Sequence, residues 1–88
     1  MYKTTSAFYP EARARLIELG AQISTKRMGG KERYWIIAHP QLSWHRTSLW
    51  EGAWKGAWRQ TMCLQIGEHK WVEESSGKWH YAGTESAY

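Results

Sequence analysis

The sequence predicts an α+β domain in which an N-terminal helix packs on an antiparallel sheet. Three observations favour this class: one strong helix pattern near the N-terminus, two adjacent glycines between β-forming runs, and alternating apolar residues towards the C-terminus. The expected order is a helix, a β-hairpin, a short Trp-rich helix and a three-stranded C-terminal meander. A chain of 88 residues has room for one hydrophobic core. We therefore expect a single compact domain over residues 1–83 and a frayed tail over residues 84–88.

The first predicted element is a helix over residues 10–20. Pro10 occupies a first-turn position, good helix formers follow it, and Gly20 stands where a left-handed cap would end the helix. One helical face is apolar, and we expect it to be buried. Its residues are Ala12, Leu16 and Leu19.

The second predicted element is a β-hairpin centred on Gly29 and Gly30. A two-residue turn of type I′ needs positive φ at both central positions, and glycine adopts positive φ without strain. This turn would place Ile23 opposite Ile36, and both would pack under the helix. Because side chains alternate along a strand, the other face of the hairpin would carry Trp35 among cations.

A near-repeat follows over residues 49–58, in which Trp50, Trp54 and Trp58 are four residues apart. On a helix these side chains form a stripe, and on a strand they share one face. Each of the two intervening glycines costs a helix interior about 0.5–1 kcal/mol, so burial of the indoles would have to stabilise a helix. We favour a short helix that begins with a capping-box pattern, and the strand alternative stays open.

The C-terminal segment contains two turn signals that divide it into three strands. Residues 67–68 are Gly-Glu, which suits a type II′ turn that pairs Leu64 with Trp71. Residues 75–77 are Ser-Ser-Gly, which suits a three-residue loop with its glycine in the left-handed conformation. This loop would bring Trp79 onto the same face as Trp71.

The composition excludes several classes of function. The chain has no Asp and no Asn, so it contains neither a Ser-His-Asp nor a Cys-His-Asn triad, no EF-hand and no N-glycosylation acceptor. Cys63 is the single cysteine, which indicates a reducing compartment, and we expect a cytoplasmic protein. The N-terminus does not resemble a signal peptide, and no stretch approaches the roughly 18 apolar residues of a membrane span. We therefore expect no membrane contact.

The sequence predicts no metal, no cofactor and no catalysis. The spacings of the four histidines and Cys63 do not match structural zinc sites, in which two ligands come from one tight turn. A less favoured alternative is a small metal-free ribonuclease-type toxin, in which histidines act as acid and base while Arg33 or Arg46 holds phosphate oxygens. No spacing selects an acid–base pair, so we expect a non-catalytic protein.

Positive charge and tryptophan side chains together predict a binding surface. Residues 1–66 carry ten Lys/Arg and four Glu, a net charge of +6, whereas the remainder carries two Lys and four Glu, a net charge of −2. An exposed indole beside an arginine can stack on a base or anchor a partner. Trp35 follows Arg33 closely, and Trp44 stands in a predicted polar loop over residues 41–47. The predicted binding residues are Lys26, Arg27, Lys31, Arg33, Trp35, Trp44 and Arg46.

The favoured function is a small non-catalytic module that contacts nucleic acid or a nucleoprotein complex, as an accessory regulator or inhibitor of mobile-element type. The positive charge would neutralise phosphates, and the indoles would stack on bases. The alternative is a protein–protein interaction module or homodimer that exposes an aromatic stripe. The residues of that stripe are Trp50, Trp54 and Trp58.

Overall fold

A computed structural model describes residues 1–29, 32–50, 56 and 58–84. Within these residues the chain forms one helix, α1 (Pro10–Glu18), and eight strands in two sheets. The strands are β1 (Tyr2–Thr4), β2 (Ala7–Phe8), β3 (Gln22–Met28), β4 (Glu32–Ala38), β5 (Leu42–Trp50), β6 (Trp58–Ile66), β7 (His69–Glu73) and β8 (Lys78–Gly83). The fold is mainly β, so the predicted α+β class is wrong.

The two sheets differ in size and connection. The smaller sheet has the order β1-β4-β3 and is antiparallel throughout. The larger sheet has the order β2-β8-β7-β6-β5, in which only the short β2 runs parallel to its neighbour β8. The sheets and α1 enclose one core, whose buried residues are Phe8, Ala12, Leu16, Ala21, Ile37, Leu64, Ile66, Trp71 and Trp79.

Two tryptophans at the centre of the core also satisfy their polar atoms. The Nε1 of Trp71 donates to the carbonyl oxygen of Ala12 at 3.0 Å, and the Nε1 of Trp79 donates to the Oγ1 of Thr4 at 3.2 Å. A buried indole N–H without an acceptor would cost about 1–3 kcal/mol. These bonds therefore fix α1 and β1 on the larger sheet.

The predicted N-terminal helix is confirmed as α1, and Gly20 follows its C-cap residue as predicted. Ala12 and Leu16 are fully buried, and Leu19 packs against the core just beyond the last helical residue. Gly20 has a φ of +86°, as expected for a left-handed cap. The amide of Ala21 donates to the carbonyl of Leu16 at 2.9 Å, which closes the helix end.

The hairpin of β3 and β4 forms, but its predicted register is wrong by one residue. Ile23 lies opposite Ile37, and Thr25 lies opposite Trp35. The connection therefore spans residues 29–31; Gly29 has a φ of +61°, whereas Gly30 and Lys31 lie outside the described residues. The shift turns Ile37 fully into the core, because a change of one residue exchanges the two faces of a strand.

The predicted polar loop over residues 41–47 is wrong, and the two ends of the predicted Trp-rich helix over residues 49–58 lie in strands instead. Residues 42–50 form β5, and all nine pair with residues 58–66 of β6. This pairing satisfies the backbone polar groups between the two strands. Residues 51–55 and 57, which were part of the predicted helix, lie outside the described residues. Trp50 and Trp58 face each other at the end of this ladder, and Trp54 lies outside the described residues.

The two C-terminal registers are confirmed, in strands that belong to a larger sheet than predicted. Leu64 pairs with Trp71, and Gly67 has a φ of +60° at the turn between them. Gly77 has a φ of +83° in the next loop, and Trp79 lies on the same face as Trp71. The turn chemistry therefore determines the pairing here.

Candidate interaction surface

The β5–β6 hairpin forms one border of the larger sheet. Within the described residues, β6 is the only strand that pairs with β5, so β5 is an edge strand. Near Leu42 and Leu64 the hairpin packs against the core, where Leu64 is fully buried. Towards Trp50 and Trp58 the same face becomes exposed to solvent. The face of the hairpin that packs against the core at one end therefore continues past the core and is exposed to solvent at the other end.

We call this exposed region the hairpin face. It consists of alternate residues on the two strands, because alternation places every second side chain on one side of a sheet. Three cross-strand pairs lie opposite each other on it: Arg46 with Met62, Ser48 with Gln60, and Trp50 with Trp58. Trp44 completes the face next to the core, opposite Leu64.

Three indoles give the hairpin face its apolar surface. Trp50 and Trp58 are 50% and 59% exposed, and their ring centroids are 5.3 Å apart with an interplanar angle of 54°. Trp44 is 44% exposed, and its ring lies 5.2 Å from that of Tyr2 on β1. Large apolar side chains with this exposure are typical of binding surfaces when they are grouped together.

The polar groups of the hairpin face carry positive charge. Arg46 is exposed between Trp44 and Trp50 on the same strand face. The side-chain amide of Gln60 donates to the Oγ of Ser48 at 2.9 Å, which links the two strands beside the indole pair. Arg46 is the one charged residue among the described residues of the hairpin face, because His45 and Arg59 lie on the other side of the sheet. The face therefore combines flat apolar groups with one cation.

A notch of about 220 Å³ adjoins the hairpin face where β7 ends and β6 continues. The Nη2 of Arg59 donates to the carbonyl oxygen of Glu73 at 2.7 Å, and the Oγ1 of Thr61 donates to the same oxygen at 2.6 Å. The carboxylate of Glu73 accepts from the Oγ of Ser6 at 2.6 Å. These bonds hold β6 against the end of β7. The notch is lined by Arg46, Arg59, Gln60, Thr61, Met62 and Glu73.

The structure divides the predicted set of cations and indoles between different faces. Trp35, predicted as an exposed platform, packs against the core instead: its ring lies 6.1 Å from that of Phe8, and the Cζ of Arg13 lies 5.9 Å from its centroid. Lys26 is exposed on the opposite face of the smaller sheet. The face that was to combine Trp35 with Lys26 therefore does not exist, because the register is shifted.

The remaining predicted residues fall into two groups. Arg27 and Arg33 lie opposite each other across β3 and β4, and both are exposed. Lys31 and Trp54 lie outside the described residues. The structure brings the other predicted residues together on the hairpin face, although the sequence assigned them to two separate sites. They are Trp44, Arg46, Trp50 and Trp58.

Sequence reasoning missed Ser48, Gln60 and the contact of Tyr2 with Trp44. The sequence did contain a signal for Ser48, since every second residue from Trp44 to Trp50 shares one face if the segment is a strand. The polar character of residues 45–48 concealed this alternation. No local pattern predicts the contact with Tyr2, because it joins two strands from different sheets.

The histidines and the cysteine are dispersed over the structure. The Nε2 of His39 lies 2.8 Å from the carbonyl of Leu19, and the Nδ1 of His69 lies 2.8 Å from the hydroxyl of Tyr81. Burial raises the pKa of the Cys63 thiol, while the positive charge of Lys70 and a backbone hydrogen bond oppose this shift. Within the described parts of the chain, no three His, Cys, Asp or Glu side chains are grouped closely enough to hold a metal ion.

Comparison of the chain with known protein families, with curated proteins and with solved structures finds no match. Over residues 1–29, 32–50, 56 and 58–84, no helix has the length and apolar character needed to cross a membrane.

Proposed function

We propose that this protein is a non-catalytic module that binds single-stranded nucleic acid through the hairpin face. The observation that supports this proposal is the pair of exposed, touching indoles, Trp50 and Trp58, on a strand face that also carries Arg46. Indoles stack on bases of any sequence, and a nearby arginine neutralises phosphates or stacks in turn.

The exposed indole pair favours a single strand over a duplex. Bases in a duplex stack on each other and offer only their edges, whereas an unpaired strand presents whole base faces. Trp50 and Trp58 lie at the end of the hairpin, and Trp44 lies about 20 Å away along β5 at the usual strand rise. The hairpin face therefore offers stacking positions for more than one base.

The charge balance favours nucleic acid over a protein partner. The chain carries a net charge of +4, and Arg46 places a cation on the hairpin face itself. Polyanion binding is driven by release of counterions as phosphates are neutralised, so it weakens as salt increases. The buried Cys63 and the chain's lack of any other cysteine are consistent with a cytoplasmic site of action.

Fluorescence anisotropy of labelled oligonucleotides tests the proposal. Single-stranded DNA, single-stranded RNA and duplex DNA of mixed sequence would each be titrated with protein over a series of salt concentrations. We expect the single strands to bind more tightly than the duplex. The double variant Trp50→Ser/Trp58→Ser should weaken single-strand binding about 5- to 150-fold for each base that loses its stacking partner.

Ile17→Ser provides a matched control, since Ile17 is 55% exposed on α1, away from the hairpin face. This variant also removes an exposed apolar side chain, and we expect it to bind like the parent protein. The proposal is overturned if no single strand binds at low salt, if the duplex binds as tightly, or if the double variant equals the control.

Sedimentation over a concentration series tests the alternative of a homodimer. A dimer that Trp50→Ser/Trp58→Ser dissociates, in a protein that binds no oligonucleotide, would replace our proposal with self-association through the indoles. A monomer that binds single strands supports the proposal. The readout is the molar mass, which does not depend on oligonucleotide binding.

A further inference from the structure

We infer that the outer face of the smaller sheet is a second contact for the same nucleic-acid strand, and that it binds the phosphodiester backbone with one base stacked on Tyr34. This inference rests on the proposed function and adds a second site to it. The contact would extend the binding surface from the hairpin face across β1 to β3.

The outer face contains a groove of about 220 Å³ lined by Lys3, Lys26, Tyr34 and Ile36. Tyr34 lies directly opposite Lys26 across β4 and β3, while Ile36 lies opposite Lys3 across β4 and β1. The two ammonium groups therefore come from the two edge strands, and the aromatic and aliphatic side chains come from the central strand. A half-buried tyrosine flanked by two exposed lysines is the arrangement that a nucleotide needs, with a flat apolar surface for the base and cations for the phosphates.

The two lysines of the groove favour a polyanion as its occupant. Its described lining contains two lysines and no carboxylate. Lysine is a strongly hydrated point charge on a flexible stem, which suits phosphate oxygens along a variable backbone better than a fixed apolar partner. The residues described in its lining include one aromatic ring and one aliphatic side chain, which is a small apolar area for a protein interface.

The two contact regions are adjacent through β1. Lys3 and Tyr2 are neighbours in sequence, so their side chains lie on opposite faces of β1. The ring of Tyr2 lies 5.2 Å from that of Trp44 on the hairpin face. A nucleic-acid strand bound at Trp44 would therefore pass the edge of β1 next, and Lys3 lies on the other face of β1.

Paired charge variants on the smaller sheet and on α1 test this inference. Lys3→Gln/Lys26→Gln removes two charges from the outer face. Arg13→Gln/Arg15→Gln removes two exposed charges from α1, which is part of neither proposed binding surface, and is the matched control. Each phosphate contact on a single strand contributes about 0.7 to the slope of log affinity against log salt, so the lysine variant should lower that slope by about 1.4. The arginine variant should leave the slope unchanged.

Oligonucleotide length supplies a second readout. A strand of about 4 nucleotides should occupy the hairpin face alone, whereas one of about 16 nucleotides should reach the groove as well. We expect the lysine variant to weaken binding of the long strand about 10-fold and to leave the short strand unaffected. Tyr34→Leu keeps the groove apolar but removes the stacking surface, and it should weaken binding of the long strand only.

The outcomes separate this inference from the proposed function. If the parent protein binds no single strand, both fail. If single strands bind and Trp50→Ser/Trp58→Ser weakens binding, while the lysine and arginine variants behave alike, the groove is not a contact and only the second site is overturned. Equal effects of the lysine variant on short and long strands would also overturn it.

Discussion

Replacing Thr4 with valine tests how the smaller sheet is held on the larger one. Thr4 is 8% exposed, and its Oγ1 accepts hydrogen bonds from the Nε1 of Trp79 and from the amide of Ser6, both at 3.2 Å. Valine has nearly the same shape but no acceptor. The fully buried indole N–H of Trp79 would then have no partner.

The expected cost is that of one buried donor left without an acceptor, which is about 1–3 kcal/mol. The amide of Ser6 is only partly buried and can donate to water instead, so its lost bond adds little to the cost of the substitution. For a domain of this size each kcal/mol shifts the melting temperature by about 4–8 °C. We therefore expect Thr4→Val to lower the melting temperature by about 8–16 °C, for a cost of about 2 kcal/mol.

A double-mutant cycle with Trp79→Phe assigns this cost to the hydrogen bond. Phenylalanine has no N–H, so Thr4→Val should cost about 1 kcal/mol less in the Trp79→Phe background than in the parent protein. Urea unfolding of the four proteins measures the difference. A loss below about 0.5 kcal/mol in the parent, or the same loss in both backgrounds, would show that this bond does not hold β1 in place.

Three further predictions concern pH, turn geometry and charge. Burial raises the pKa of Cys63, and burial together with the carboxylate of Glu73 raises the pKa of Tyr2. The unfolded chain releases these two protons at lower pH than the folded chain does. The free energy of unfolding, measured with urea, should therefore be unaffected below about pH 7 and fall above about pH 9. Cys63→Ala should reduce this fall. Gly67→Ala should lower the free energy of unfolding by about 1 kcal/mol and with it the urea midpoint, because φ is +60° at this position. An unchanged midpoint would contradict the type II′ turn. Arg46→Gln should lower the salt slope of single-strand binding by about 0.7, and an unchanged slope would mean that Arg46 meets no phosphate.

The parts of the fold that local chemistry determines could be predicted from the sequence. Gly67 and Gly77 mark turns of defined length, so the strands around them pair as expected. Gly29 and Gly30 are compatible with both a two-residue and a three-residue loop, and the choice follows from which face the core buries. Ile37 is fully buried, which is a tertiary outcome that the local sequence does not specify.

Sequence reasoning identified the residues of the hairpin face one by one but did not group them. Residue type alone pointed to Trp44, Arg46, Trp50 and Trp58. Their position on one face depends on the pairing of β5 with β6, which local sequence does not specify. The four-residue spacing of tryptophans is compatible with a helix stripe and with one face of a strand. The pairing of β5 with β6 places Trp50 and Trp58 in strands, and this pairing depends on the whole length of both strands rather than on the local spacing.

The position of Arg46 also determines how the edge strand meets a second copy of itself. Residue 46 is the midpoint of β5, since four strand residues precede it and four follow it. If two copies paired antiparallel along this edge in full register, each Arg46 would stand directly opposite its equivalent. Like charges at a cross-strand position are destabilising, and natural edge strands use such charges against aggregation. The exposed edge of β5 therefore carries, at its central residue, a charge that opposes pairing with a second copy of the same strand.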